Sequence, residues 1–141
     1  MLSLIALSLV TPQIALDAGV ALTMDDRHVI HNARILISAA GNIESLGRQS
    51  EVKIPDGYQR LSFPESFVWP GGVDLHSHTQ TGGWGDINDM VHPDNPELRT
   101  LDTIRANNQL HKVGRAGGVT MVNAIPGSGT NISGAGTLVQ L

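Results

Sequence analysis

The residues with the clearest chemical potential are His76-Ser77-His78, which follow the apolar run Phe67–Leu75. On an extended strand, successive side chains alternate between faces. The two imidazoles therefore project the same way, about 7 Å apart along the chain and within reach of one metal ion. Imidazole nitrogen is a preferred zinc ligand, and a catalytic zinc takes three protein ligands and keeps one open position. We predict that His76 and His78 bind a divalent metal ion; the alternative is two strand-end histidines that hydrogen-bond to nearby carboxylates.

Other polar side chains lie close to this pair in the sequence. Asp74 comes two residues before the first histidine, on the same face of a regular strand, and could orient a ligand histidine or simply pair with another donor. The loop Thr79–Asn95 follows the strand, where loops of α/β barrels line substrate pockets. The candidates for substrate contact or support of the site are Trp84, Asp89 and Asn131. The alternative is that the acids are solvated and the tryptophan anchors the loop.

A glycine-rich stretch, residues 126–136, suggests a function of another class. Backbone amides of a loop at the end of a strand can face an anionic group, so a small anion- or nucleotide-binding module is an alternative hypothesis. Both common nucleotide templates fail here. Ile132 stands where the dinucleotide fingerprint needs its third glycine, and Ala135 stands where a P-loop needs lysine.

The first half of the chain has the pattern of short strands separated by turn residues. The apolar runs are Ile14–Leu22, Val29–Ile30, Ala33–Ser38, Ile43–Leu46 and Tyr58–Phe63. Several short strands at this spacing predict a small antiparallel β-sandwich or half-barrel over residues 1–68. Its first residues, 1–12, are either the remnant of a leader or the start of a buried strand.

After Pro64 the pattern changes to strand, loop, helix and strand. Asn95 as N-cap, with proline at the next position, predicts a helix that runs to Gly117-Gly118, in one piece or broken at Asn107-Asn108. Val119–Ile125 is typical of a strand buried on both faces. A strand, a crossover helix and a second strand form a βαβ unit with a parallel sheet, so the fold class is α/β.

Composition restricts the classes of partner. The chain has 141 residues, 9 lysines and arginines against 13 acids, and no cysteine. Without a basic cluster it has no electrostatic footprint for nucleic acid, and without about 18 consecutive apolar residues it has no membrane span. The apolar start Met1–Val10 lacks a preceding basic residue, so export is an alternative to a default cytoplasmic location. We expect a small-molecule substrate, and a homo-oligomer stays open.

Two segments carry a resemblance to a known family. Pro70–His78 (PGGVDLHSH) resembles the first barrel strand of the metal-dependent amidohydrolase superfamily. Gly114–Ile125 (GRAGGVTMVNAI) is similar to its second strand, with Met121 where a second threonine is common. Residues 126–141 are similar to the glycine-rich loop of imidazolonepropionase-like members. The strand-rich first half fits the small β-sandwich of these enzymes, so the resemblance covers almost the whole chain.

The resemblance implies a fold and a chemistry. The fold would be an N-terminal β-sandwich and, over residues 69–141, the first one or two β/α units of a TIM barrel. His76 and His78 would bind Zn²⁺ or another divalent metal, and a metal-activated water would hydrolyse the C–N bond of an amide or cyclic amide. The other ligands and the general-base aspartate would come from later strands, beyond residue 141. Because such a barrel needs about 250 residues, we expect an N-terminal fragment that is inactive alone; the alternative is a non-catalytic α/β remnant.

Overall fold

The computed structural model describes residues 11–79, 85, 86, 88, 89 and 91–141. The chain forms two compact units that divide between Pro70 and Gly71. Strands predominate in both units, and the helical structure lies in the second, so the fold is a strand-rich α/β mixture. Within the described ranges, no helix is both long enough and apolar enough to cross a lipid bilayer.

The described residues of the N-terminal unit form four strands. They are β1 (Ile14–Leu22), β2 (Val29–Ile37), β3 (Ile43–Arg48) and β4 (Gln59–Val68). The two apolar runs predicted between Val29 and Ser38 are thus one strand, because β2 pairs with β1 along its whole length. The turn after it contains Gly41 with φ of 83°, a conformation that glycine adopts without strain.

The pairing of these strands differs from the predicted antiparallel sandwich. The strand order is β3-β2-β1-β4, with antiparallel pairs except for β1 and β4, which are parallel. The described residues of this unit therefore form one mixed four-stranded sheet. The reason is the segment 49–58, which carries the chain from β3 to the opposite edge of the sheet instead of turning it back as a hairpin.

Strand β4 continues through Pro64, where the sequence pattern predicts an end. A proline cannot donate to a sheet ladder, but it is tolerated on an edge strand and at a bulge. β4 is an edge strand, and its register against β1 shifts between Ala18 and Val20. At this shift a Cβ atom on Gly19 would lie 2.3 Å from the Pro64 carbonyl oxygen. The bulge therefore needs the absence of a side chain at Gly19 to let the proline pass.

The buried residues of the N-terminal sheet are apolar except for one pair of opposite charges, Asp17 and Arg34. Ala15, Ala18 and Ala33 are almost completely buried, as is Asp17 at 1% exposure. Asp17 lies opposite Arg34 in the β1–β2 pair, and the Arg34 Nε atom donates to its Oδ1 atom at 2.6 Å. A buried carboxylate needs such a partner because an unpaired charge is very costly to remove from water.

The C-terminal unit contains the predicted βαβ unit. Its elements are β5 (Gly72–Ser77), a 3-10 turn (Thr100–Thr103), α1 (Gln109–Ala116), β6 (Val119–Ala124) and β7 (Thr137–Gln140). β5 and β6 are parallel, and α1 in the crossover packs against β6. β7 adds an antiparallel edge on the other side of β6, so the sheet order is β5-β6-β7.

Burial in β6 is one-sided, contrary to the prediction of a strand buried on both faces. Val122 and Ala124, which share one face, are 3% and 0% exposed, whereas Val119, Met121 and Asn123 on the other face are only half-buried. Helix α1 packs against β6, and a single helix covers only one face of a strand.

The helix begins at Gln109 and not near Asn95, so the prediction of an N-cap at Asn95 is wrong. The Asn95 backbone N–H donates to the Ile132 carbonyl at 2.7 Å, and Asp94 forms a β-bridge with Ile132. This pairing with the glycine-rich loop holds the segment extended. The N-cap is Asn108, whose Oδ1 atom accepts from the Leu110 N–H at 2.8 Å.

Candidate functional site

The end of β5 presents two adjacent imidazoles. His76 lies in the strand and His78 comes directly after it. Their ring centroids are 5.1 Å apart and the rings meet edge to face at 88°. The rings thus lie side by side at the C-terminal end of an extended segment, as the alternation of strand side chains predicts.

The residue between the histidines explains why both rings point outward. Ser77 is buried at 4% exposure, and its carbonyl accepts from the Ile125 N–H at 2.9 Å. Its hydroxyl shares a hydrogen bond of 2.9 Å with Thr79. Because side chains alternate along a strand, the burial of Ser77 places His76 and His78 together on the opposite face.

The hydrogen bonds of His78 define which of its nitrogens can act as a ligand. Its Nδ1 atom lies 3.2 Å from the Ile125 carbonyl oxygen. Because a carbonyl oxygen only accepts, this bond requires the proton on Nδ1, and in the neutral ring Nε2 then carries the lone pair. In metal-binding histidines, the N–H of the ring nitrogen that does not bind the metal commonly donates to a carbonyl in this way. The His78 side chain is 24% exposed.

Asp74 supports the strand end through the main chain. Its Oδ1 atom accepts from the His76 backbone N–H at 3.0 Å. The contact fixes the backbone that carries the imidazole and not the ring itself. A role in orienting a ligand ring stays a prediction.

The loop after β5 reaches two residues of the glycine-rich stretch. The Ser128 N–H donates to Asp86 Oδ1 at 2.6 Å, and the Gly129 N–H donates to Asn88 Oδ1 at 2.5 Å. The same Asp86 oxygen lies 4.0 Å from His78 Nε2. Sequence reasoning did not select Asp86 or Asn88 as site residues, and the only signal was their position in the loop that follows the histidines.

Four amides of the glycine-rich stretch are engaged within the protein, which argues against the anion-binding hypothesis. Ser128 and Gly129 are bound by the side chains just described. The Ile132 N–H donates to the Pro93 carbonyl at 3.1 Å, and the Ala135 N–H donates to the Leu98 carbonyl at 2.8 Å. Amides that are used in this way do not converge on a ligand. The structure therefore favours a structural role for these four amides.

A cavity of about 400 Å³ lies beside the glycine-rich stretch. Its lining includes Asp89, Glu97, Arg99 and Pro126. Pro126 lines the cavity, and the residue before it, Ile125, accepts a hydrogen bond from His78. The cavity wall is therefore adjacent in sequence to the residue that contacts His78. The cavity is a candidate substrate pocket because of its size and its mixture of apolar and charged groups.

The remaining predicted site residues have different positions. Asp89 lines the cavity, but its Oδ1 atom accepts from the Val91 and His92 backbone N–H groups, which lower the pKa of its carboxyl below the usual value. Asn131 is exposed in the glycine-rich stretch. Trp84 lies outside the described residues. Contact of these residues with substrate stays a prediction.

The donor set fits part of a metal site. The histidine pair offers two imidazoles, which suit zinc and similar divalent ions. Among the residues that the structure describes, no three histidine, aspartate or glutamate side chains are grouped closely enough to hold an ion. A catalytic zinc needs three protein ligands, so the pair alone provides fewer than this number.

Comparison with solved structures identifies an amidohydrolase-like fold. The chain is similar over 89% of its length to the crystal structure of an amidohydrolase from Thermotoga maritima MSB8, with 26% sequence identity and a TM-score of 0.70, and covers 33% of that protein. A candidate prolidase from Bifidobacterium longum is similar over 51% of this chain and 18% of its own, with 27% identity and a TM-score of 0.46. No family model and no curated protein matches the sequence. The chain thus spans about a third of the length of the amidohydrolase it resembles.

Proposed function

We propose that this chain provides the first metal-binding strand of a metal-dependent hydrolase that acts on C–N bonds of the amide or cyclic amide type. The observation that carries the proposal is the pair of adjacent imidazoles, His76 and His78, at the C-terminal end of a parallel strand. In α/β barrels this end of the strand carries the catalytic groups. The similarity to the amidohydrolase of Thermotoga maritima supports the same class of enzyme.

Each residue around the pair has a defined task in this proposal. His76 and His78 would hold the ion, and Zn²⁺ suits two imidazoles. When bound, a divalent ion polarises a carbonyl group and lowers the pKa of a water molecule to about 7. The Ile125 carbonyl holds the proton of His78 on Nδ1 and so keeps the Nε2 lone pair available. Asp74 keeps the backbone at His76 in place through its N–H.

A small-molecule substrate would occupy the cavity next to Pro126. The cavity has the size of a pocket for a small ligand. A third metal donor and the carboxylate that moves the proton to the leaving nitrogen are needed in addition to the pair. We propose that they are provided by segments corresponding to the other two thirds of the amidohydrolase it resembles.

Metal binding by the histidine pair tests the proposal directly. The chain is titrated with Zn²⁺ by calorimetry. The test variant is H76N/H78N, and the matched control is H28N/H31N, which removes two exposed histidines that are also close in sequence. Asparagine suits the control because His28 has a φ of 54°, a conformation that asparagine tolerates.

We expect H76N/H78N to remove the measured binding and H28N/H31N to leave it unchanged. Binding that survives in H76N/H78N, or that is lost equally in both variants, would contradict the proposal.

A further inference from the structure

Two side chains of the loop after β5 accept hydrogen bonds from two consecutive amides of the glycine-rich stretch, but the surroundings of the two side chains differ. Asp86 Oδ1 accepts from the Ser128 N–H at 2.6 Å, and Asn88 Oδ1 accepts from the Gly129 N–H at 2.5 Å. Only Asp86 also faces the histidine pair, with its Oδ1 atom 4.0 Å from His78 Nε2. Asp86 is therefore the side chain that connects the imidazole with the stretch.

The contact between Asp86 and His78 brings two electron-rich atoms toward each other. The Nδ1 proton of His78 is directed to the Ile125 carbonyl, so Nε2 carries a lone pair. The carboxylate oxygen of Asp86 is negatively charged and only accepts hydrogen bonds. A positive charge between or beside the His78 nitrogen and the Asp86 oxygen would attract both atoms. At a separation of 4.0 Å from Nε2, the Asp86 oxygen would be attracted by a positive charge bound there.

We propose that Asp86 is a positioning residue that couples metal binding at His78 to the glycine-rich stretch. The Asp86 carboxylate would be drawn toward a cation held by Nε2, and the Ser128 amide would move with the oxygen to which it donates. The stretch forms part of the cavity wall through Pro126 and Thr130, so binding of the ion would adjust the substrate pocket. The inference rests on the proposed function, because it requires a metal ion at the histidine pair.

The test uses the full chain labelled with ¹⁵N and titrated with Zn²⁺. Nuclear magnetic resonance records the ring nitrogens of His76 and His78 and the backbone amides of Ser128 and Gly129. The test variant is D86N, which keeps an oxygen to accept from Ser128 and removes only the charge. The matched control is N88A, which breaks the neighbouring tether but leaves the carboxylate that faces His78.

In the natural chain we expect Zn²⁺ to shift the ring signals and the Ser128 amide together. In D86N the ring signals should still shift, while the response of the Ser128 amide falls by more than half. In N88A the Ser128 response should persist. A purely structural tether would not distinguish D86N in this way, because asparagine retains the hydrogen bond.

Two different results would refute the inference. Ring signals that shift without a response at Ser128, or an unchanged Ser128 response in D86N, would overturn the coupling and leave the metal site intact. Ring signals of His76 and His78 that do not respond to Zn²⁺ would overturn the proposed function and the coupling with it.

Discussion

Replacement of Asp17 by asparagine would remove one negative charge from the centre of the N-terminal sheet with almost no change in side-chain size. The two oxygens of Asp17 accept from Arg34 at 2.6 and 2.9 Å and from Arg60 Nε at 2.8 Å. The Arg34 side chain is only 11% exposed, whereas that of Arg60 is 57% exposed. The variant D17N therefore leaves the Arg34 guanidinium largely buried without its counter-ion.

The expected loss is large relative to the stability of a small unit. Removal of one partner from a buried ion pair typically costs about 3–5 kcal/mol, because the remaining charge stays uncompensated. A domain has a total stability of about 5–15 kcal/mol. For a unit of this size, each kcal/mol corresponds to about 4–8 °C in Tm, so D17N should lower the Tm by about 12 °C or more.

Thermal unfolding followed by circular dichroism measures this effect, with D25N as the matched control. The Asp25–Arg27 pair has the same nitrogen–oxygen distance of 2.6 Å as Asp17–Arg34, but the Asp25 side chain is 45% exposed and that of Asp17 only 1%. D25N should therefore shift the Tm far less. Equal shifts in the two variants would show that burial does not determine the strength of the Asp17 pair, and the reasoning would be refuted.

The same pair makes a prediction about acid. Hydrogen bonds from Arg34 lower the pKa of Asp17 below its usual 3.8, with burial opposing and Arg60 adding to the effect. Because the pKa is lower in the folded state, the native protein binds fewer protons than the unfolded chain near this pH. The stabilisation is present above about pH 4 and is lost as the pH falls further. The stability of D17N should lack this part of the acid dependence.

Two further substitutions test the bulge and the helix. Gly19→Ala would bring a Cβ atom to 2.3 Å from the Pro64 carbonyl oxygen, and it should lower the free energy of unfolding measured by chemical denaturation by about 1–3 kcal/mol. The control Gly117→Ala, whose nearest contact is at 3.4 Å, should lower it less. Equal losses of stability would contradict the close approach at the bulge. His111 is 4% exposed, and burial, with a smaller contribution from Arg115, lowers the pKa of its imidazole below 6.5. The native state therefore disfavours the charged ring, and stability should decrease as the pH falls through about 6.5. The variant H111F should lose this dependence when Tm is measured against pH, and an unchanged profile would refute the assignment to His111.

Local patterns predicted the features that depend on neighbouring residues. The apolar run at Ile14–Leu22 coincides with β1, and the βαβ unit appears as the parallel pair β5 and β6 with α1 between them. The positions of His76 and His78 follow from the alternation of side chains along a strand, which requires no information from distant residues. For this reason the histidine pair could be identified from the sequence.

Long-range pairing explains where sequence prediction failed. The chain has asparagines suitable as caps at both Asn95 and Asn108, and local chemistry does not choose between them. The choice depends on the bridge between Asp94 and Ile132, whose partners are far apart in the sequence. The hydrogen bond of Asp86 with Ser128 likewise joins residues that are 42 positions apart. No local pattern reports such contacts.

The residue after β6 has a consequence for sequence variation. The Ile125 carbonyl oxygen accepts a hydrogen bond from the Nδ1–H of His78, and the Ile125 N–H donates to the Ser77 carbonyl. Both bonds use main-chain atoms, which nearly every amino acid supplies; only proline lacks the N–H. Related proteins can therefore carry a different residue at position 125 and still orient the imidazole in the same way. The hydrogen bond to His78 does not depend on the side chain at that position.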